Sequence, residues 1–540
     1  MKIGLLIKDS LVFDGTGSEP FKADLGISGD KIIFVDRDIK GSKSGTMLRP
    51  EKVIDADGLS VAPGFVDTHS HSEFTLLADP RAEGKIYQGI TTEINGNCGL
   101  SAAPLFSEAL DQREEDFKEF GIHERWSTFE EYFQILEKRG IAINFATLVG
   151  HGNIRASVRG YRDQELTKSD IKKMNALLRE SISEGVIGLS TGLIYPPGVY
   201  SNTEELIEMA GCCKNLIYTS HMRSEGDRLI ESIEETIRIG KEAGIKVHIS
   251  HIKTSGEENW HKIENAISLM EESKKEDVPL TCDRYPYTAS STDLDVILPS
   301  WTYSGGTEEE LKRLKSLRIR KKIKKQILNA HSFKDYWKKV YISSITSERN
   351  RWMEGKSLSD IARIKGREPV DILIEILIEE KLKVNAIFSS MHEENLKRFL
   401  SLSYCMIGTD SSVRCFSGPT CRGKPHPRGF GSFPRFLGKY VRDGGLMGMS
   451  EGIHKTTMLP AKTFSINKRG VIKKGAFADI VVFDHKRIID RATFDEPFLR
   501  PEGIHYVLVN GSPAIWEGGL TEIRSGRILR HGKEERNADY

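Results

Sequence analysis

The chain lacks the features that mark several large classes of protein. It has no window of about 20 apolar residues of the kind that spans a bilayer, and its opening, Met1-Lys2-Ile3-Gly4-Leu5-Leu6, breaks too soon for a signal peptide. An excess of charge is also missing: 78 Lys and Arg against 77 Asp and Glu leave a formal net charge of +1 on 540 residues. No broad field therefore draws in nucleic acid or an anionic membrane. Cysteine is sparse, and the seven thiols at 98, 212, 213, 282, 405, 415 and 421 form no disulfide framework. These absences lead us to expect a cytoplasmic protein with reduced cysteines, acting on a small molecule, with neither nucleic acid nor membrane as partner.

What is present begins with His69-Ser70-His71, at the end of the apolar run Val61-Ala62-Pro63-Gly64-Phe65-Val66-Asp67. On a strand, residues i and i+2 face the same side, so both imidazoles can aim at one cation while Ser70 faces away. Four more donors end short strand-like runs in the same manner: Cys98, His221, His251 and Asp410. An isolated His-x-His pair is as often a packing element as a ligand pair. Five strand ends that each supply a zinc-competent side chain are a different matter.

The chain reads in three zones. Residues 1–60 alternate apolar and polar positions between turns such as Asp14-Gly15-Thr16-Gly17, and 470–540 resume that pattern, including Ala478–Phe483, Tyr506–Gly511 and Arg524–Leu529. The two ends are expected to build one small β domain together, a β-sandwich. Residues 61–469 alternate strand-like and helix-like segments, with amphipathic helices expected over Ser169–Glu184 and Asp227–Gly240. Eight strand runs can be counted: Val61–Asp67, Ile90–Asn95, Ile143–Val149, Val186–Ser190, Ile217–Ser220, Val247–Ser250, Leu280–Asp283 and Met406–Thr409. The fold class is therefore α/β, a (β/α)₈ TIM-like barrel, and the donors fall at the C-terminal ends of strands 1, 2, 5, 6 and 8, where such barrels carry their chemistry. The charged stretch 306–330 is read as the wet side of amphipathic helices, within an insertion after strand 7 over about residues 288–345. The helix opened by Pro369, Val370–Glu379, is expected to be ordinary packing.

These residues resemble the amidohydrolase superfamily and, within it, the N-acyl-D-amino-acid deacylases (D-aminoacylases). The resemblance runs through Pro63–His71, Gly96-Asn97-Cys98-Gly99, His151-Gly152-Asn153, Gly188–Pro197, Ser250–Lys253, Asp283–Tyr287, Gly423–Arg428 and Lys474–Val481. It implies one tight Zn2+ on Cys98, His221 and His251, and a second, weaker site surrounded by His69, His71 and Asp410. Hydantoinases and dihydroorotases usually carry a carboxylated lysine on strand 4, where this chain has Gly188-Leu189-Ser190-Thr191. The implied reaction is hydrolysis of the amide of an N-acyl-D-amino acid to a carboxylate and a free D-amino acid. A cyclic-amide hydrolase and a non-catalytic scaffold are the alternatives.

Amides resist water because hydroxide is scarce at neutral pH and the tetrahedral intermediate bears an uncompensated oxyanion. Zinc with an open position answers both by acidifying a water and polarising the carbonyl. Asp410 is the candidate to accept the water's proton and pass it to the leaving amine, its alternative role being to orient His69 or His71. The resemblance assigns the substrate's α-carboxylate to Lys253, Tyr285 and Arg428, with Tyr287 competing for the tyrosine role; each could instead be a plain structural residue. Two departures bear on substrate range: Ser411 follows Asp410 where the family usually has glycine, and Glu73 stands where it usually has aspartate. The loop 411–427 is also long, and is expected to form pocket wall or lid.

Overall fold

The computed structural model describes residues 3–37, 50–275, 278–331 and 335–533. Eight parallel strands form the barrel, β1 (Phe65–Asp67), β2 (Ile90–Asn95), β3 (Asn144–Thr147, continued by Val149–Gly150), β4 (Gly188–Gly192), β5 (Ile217–His221), β6 (Lys246–Ile249), β7 (Leu280–Arg284) and β8 (Cys405–Ile407). Nearly every residue in them is buried, which suits a parallel sheet covered on both faces. The circle closes between β8 and β1, where the Thr68 hydroxyl donates to Ile407 O at 3.1 Å and Thr409 N donates to the Asp67 carboxylate at 2.8 Å.

The helices form as their sequences dictate. The one at Lys168–Glu184 starts from a reciprocal cap between Thr167 and Asp170 and stops at Gly185, whose φ of 112° is in the glycine-favouring region. Met174 and Leu178 are fully buried on its inner face, and Ile171 and Ile182 pack against the same core from its margin. The expected helix over Asp227–Gly240 is found at Leu229–Ala243.

The small β domain is a nine-stranded sheet. Strands from the chain's start (3–12, 21–28, 31–36, 50–55 and 60–63) join strands from its end (480–483, 504–509, 512–516 and 519–520) in one hydrogen-bonded array, with their inward side chains in a shared apolar cluster. Two segments lie differently from the sequence expectation. The run Val61–Asp67 is not one barrel strand, because Ser60–Pro63 pairs with Ile480–Phe483 in the small sheet and only Phe65–Asp67 enters the barrel. Gly64 makes the switch; a Cβ there would stand 2.1 Å from the Thr91 hydroxyl. Arg524–Leu529 is likewise no strand of the small sheet but runs beside β3, with Phe145 N donating to Arg527 O and Leu529 N to Phe145 O, both at 2.8 Å.

The excursion between β7 and β8 is also longer than about 288–345. Its three-stranded sheet (290–293, 340–345 and 384–388) and the helix Pro369–Glu379 share a second apolar core that continues to Ala386. The helix placed in general packing is thus a centre of this subdomain. Its helical hydrophobic period could not reveal which core it faced. No helix among the described residues is long and apolar enough to cross a membrane.

Candidate metal centre and active site

At the C-terminal ends of the barrel strands lies a cavity of about 2430 Å³, walled by the helix Glu108–Phe120, the excursion and the loop 411–428. The six sequence-derived donors meet at its floor. Cys98 Sγ lies 3.3 Å from His69 Nε2 and 3.5 Å from His251 Nε2. Asp410 Oδ1 is 3.3 Å from His71 Nε2 and 3.6 Å from His69 Nε2. Three groupings of donor atoms each lie within 4.8 Å of one another: Cys98, His221 and His251; His69, His71 and Cys98; and His69, His251 and Asp410. Cys98, His69 and His251 each belong to two of them and so link the groupings into one centre.

The local backbone is strained where these donors leave their strands. Cys98, His251 and Asp410 have φ of 54°, 36° and 49°, the left-handed region that non-glycine residues enter at a cost of about 1–2 kcal/mol each. Such turns redirect the three side chains from the strand direction to the barrel axis. His69 and His71 lie just beyond the ladder of β1, yet keep their alternation: Ser70 points away, its hydroxyl donating to Glu93 at 2.8 Å.

Neighbouring carboxylates fix the imidazoles. Asp283, at the end of β7, accepts from His69 Nδ1 at 3.3 Å, from His248 Nε2 at 2.8 Å and from His251 N at 2.8 Å. Because a carboxylate only accepts, Nδ1 of His69 is the donor in this bond, which leaves Nε2 as the nitrogen facing the centre. Glu225 Oε1 lies 2.8 Å from His251 Nδ1 and is ion-paired to Lys253, whose ammonium donates to that same Nδ1 at 2.8 Å. Burial works against ionising Asp283 and Glu225, but the cations around them prevail and hold both carboxyls well below the usual range.

These residues fit a zinc ion. Both ring nitrogens of His221 are buried with no hydrogen-bond partner, and burial holds this imidazole below its ordinary pKa, in the neutral form that ligates. Burial alone would push the Cys98 thiol up; the charges of His69 and His251 and the contact with His251 Nε2 at 3.5 Å instead draw it well below the usual thiol range. The result is a sulfur drawn towards its thiolate form among imidazoles, a set that suits zinc over the harder oxygen-seeking cations.

Of the proposed clamp, Arg428 Nη1 pairs with Asp410 Oδ2 at 2.7 Å, and its guanidinium carbon stands 4.6 Å from the centre of the Tyr285 ring. The Tyr285 hydroxyl is buried and has no hydrogen-bond partner among the described residues, whereas Tyr287 bonds Asp490 at 3.3 Å. Lys253 lines the cavity but is 3 % exposed and held by Glu225.

Sequence reasoning gave no role to Asp283, Glu225 or Lys85. Asp283 sits at a strand end and could have been found by the rule that found the donors. Glu225 lies four residues past His221 in a loop, with no periodicity to mark it. Lys85, fully buried, donates to Asp67 at 2.6 Å, Ser70 Oγ at 2.8 Å, Thr409 Oγ1 at 2.7 Å and Ser411 O at 2.9 Å.

A parallel barrel with thiolate and imidazole donors at its strand ends defines a metal-dependent hydrolase of the amidohydrolase class, and the amidohydrolase family model matches residues 52–274 and 332–515. The chain belongs to the N-acyl-D-amino-acid deacylase branch of that family. It is 34% identical to the D-aminoacylase of Alcaligenes xylosoxydans xylosoxydans over 97% of each chain. Against the N-acyl-D-glutamate deacylase of the same organism it is 32% identical over 98% of this chain and 97% of the other. The crystal structure of N-acyl-D-glutamate deacylase from Bordetella bronchiseptica, complexed with zinc and a phosphonate mimic of the tetrahedral intermediate, superposes with a TM-score of 0.82. It is 30% identical, with 98% of this chain and 100% of that one covered.

Lys85 yields a stability prediction. Replacing it by Met leaves Asp67 and Glu93 buried without their cation, and urea denaturation should record a loss of about 3–5 kcal/mol; a loss below about 1 kcal/mol would contradict the brace.

Proposed function

We propose that this protein is a zinc-dependent hydrolase that releases free D-amino acids from their N-acyl derivatives. The observation that carries the reading is the convergence of Cys98, His221 and His251 at the barrel rim, with the Cys98 thiol drawn towards thiolate. D stereochemistry is supported by the relatives, which act on N-acyl-D-glutamate or are D-aminoacylases. A hydantoinase-like reading finds no support in β4, whose Ser190 hydroxyl donates to the Gly96 carbonyl and which carries no lysine. We assign the reaction to the cytoplasm on the strength of seven free thiols.

Cys98, His221 and His251 would hold the tight ion, and His69, His71 and Asp410 would surround the second. When bound, zinc supplies Lewis acidity, making a water more acidic and the amide carbonyl more electrophilic. Asp410 takes the water's proton on Oδ1, the oxygen facing His69 and His71, and delivers it to the departing nitrogen. Arg428 binds the other oxygen, Oδ2, so Asp410 stays ionised and correctly turned between turnovers. The substrate's α-carboxylate competes for that same guanidinium, and the free Tyr285 hydroxyl beside it supplies a further donor. Lys253 adds positive charge on the facing wall while its ammonium stays tied to Glu225.

A panel of N-acetyl-D- and N-acetyl-L-amino acids, assayed on zinc-reconstituted protein for released amine, should give turnover of D substrates only. Turnover confined to hydantoins or dihydroorotate would refute the reading. Cys98→Ala should lose the tightly held zinc, measured by metal analysis after dialysis; wild-type metal content in that variant would sink the ligand assignment. Arg428→Ala should raise KM for N-acyl-D-amino acids at least about tenfold more than for the matching amides without a carboxylate, a difference worth about 1.4 kcal/mol.

A further inference from the structure

The carboxylates near the reacting centre have partners. Glu225 has Lys253, Asp410 has Arg428, Asp116 has Arg113 at 2.8 Å, and Glu119 has Arg422 at 3.2 Å and Lys383 at 3.5 Å. Three on the excursion's wall of the same cavity do not: Asp293, Asp295 and Glu310 line the chamber and make no ion pair among the described residues. Glu310 is only 5 % exposed, and its Oε1 is buried with no hydrogen-bond partner. The nearest cations are committed elsewhere, Arg113 to Asp116 and Arg313 to the carbonyls of Thr302 at 2.9 Å and Ser304 at 2.5 Å.

This wall adjoins the chemistry directly. In the strand Ser290–Asp293, Ser291 O accepts from Arg428 Nη2 at 3.1 Å, and Thr292 Oγ1 meets the Tyr195 hydroxyl at 3.0 Å. The Tyr195 ring in turn packs on His221, 5.0 Å between ring centres. Asp293 is the next residue along and Asp295 follows two later. A substrate with its amide at the zinc donors and its α-carboxylate at Arg428 would extend its side chain into the chamber that these three residues line.

We propose that Asp293, Asp295 and Glu310 form a cation subsite, and that the preferred substrates are N-acyl-D-amino acids with a positively charged side chain. The inference rests on the deacylase reading above and specifies its substrate class. Without a cation, desolvation by the chamber walls and repulsion from Asp116 and Glu119 push Asp293 up to about 6, burial and repulsion from Asp293 push Asp295 up to about 8, and burial and repulsion from Asp295 and Asp293 push Glu310 up to about 9. At neutral pH the deeper two therefore hold protons. An arriving ammonium or guanidinium displaces them to solvent and gains charge-assisted hydrogen bonds, which a neutral side chain cannot make and an acidic one would meet with repulsion.

The test compares N-acetyl-D-lysine and N-acetyl-D-arginine with N-acetyl-D-leucine and N-acetyl-D-glutamate on the zinc-loaded enzyme. The cationic pair should show a kcat/KM at least about tenfold higher than the others. Asp293→Asn and Glu310→Gln should each bring that ratio down towards one, the exposed Asp293 serving if the buried Glu310 variant does not fold. A wild-type ratio near one, or a preference that survives both substitutions, overturns the subsite and leaves the deacylase reading standing. If no N-acetyl-D-amino acid is hydrolysed, the deacylase reading itself falls. Calorimetry with free D-lysine and D-leucine then decides the subsite on its own: D-lysine binding with proton release, seen as an enthalpy that varies with the buffer, supports it, and equal or absent binding overturns it.

Discussion

One buried ammonium ties together the two ends of the barrel that carry chemistry. Lys85 has no access to solvent, and it bonds Asp67 and Ser70 on the first strand's exit and Thr409 and Ser411 on the last strand's exit. Those exits hold His69 and His71 on one side and Asp410 on the other. Their spacing is set by an ion with four partners, in a place where burying a lone charge would be prohibitive. Its three N–H donors are shared among these four acceptors from both exits, which holds the seam together. The donors inherit that arrangement.

The remaining order follows the same logic on the opposite side of the centre. Asp283 bonds two imidazoles and the backbone of His251, so β6, β7 and the end of β1 are locked in one network. Glu225 gathers Lys253 and His251. Strain at Cys98, His251 and Asp410 is held by the hydrogen bonds and ion pairs around these residues, among them Asp283 to His251 N and Arg428 to Asp410. Residues that would bind substrate are meanwhile engaged with the machinery: Arg428 steadies Asp410 and Lys253 balances Glu225. Substrate binding on such a site is exchange of partners, not the filling of an empty clamp.

Much of this was legible in the chain, for identifiable reasons. Alternation and strand length exposed the eight barrel strands, and the residues at their ends supplied the donors, because a parallel barrel collects its strand ends on one face. What stayed hidden depended on long-range partners. Gly64 looked like part of an unbroken apolar run, and only the approach of Thr91 explains why the chain changes sheets there. The helix Pro369–Glu379 is apolar on most of its surface, so its pattern could not say whether it served the barrel or a second core. Lys85 and Glu225 have no sequence signature at all, since a charged residue in a turn reads as solvated until its partners are known.

The nine-stranded sheet has a consequence for how the molecule is made. Residues 60–63 hydrogen-bond to 480–483, and the closing segment 524–529 lies back along the third barrel strand. A nascent chain leaving the ribosome therefore carries unfinished sheet edges through the whole synthesis of the barrel, and such edges invite association with other polypeptides. Its earliest strands wait for its latest ones. Chaperone dependence during translation is the natural companion of a domain built from both ends of a long polymer.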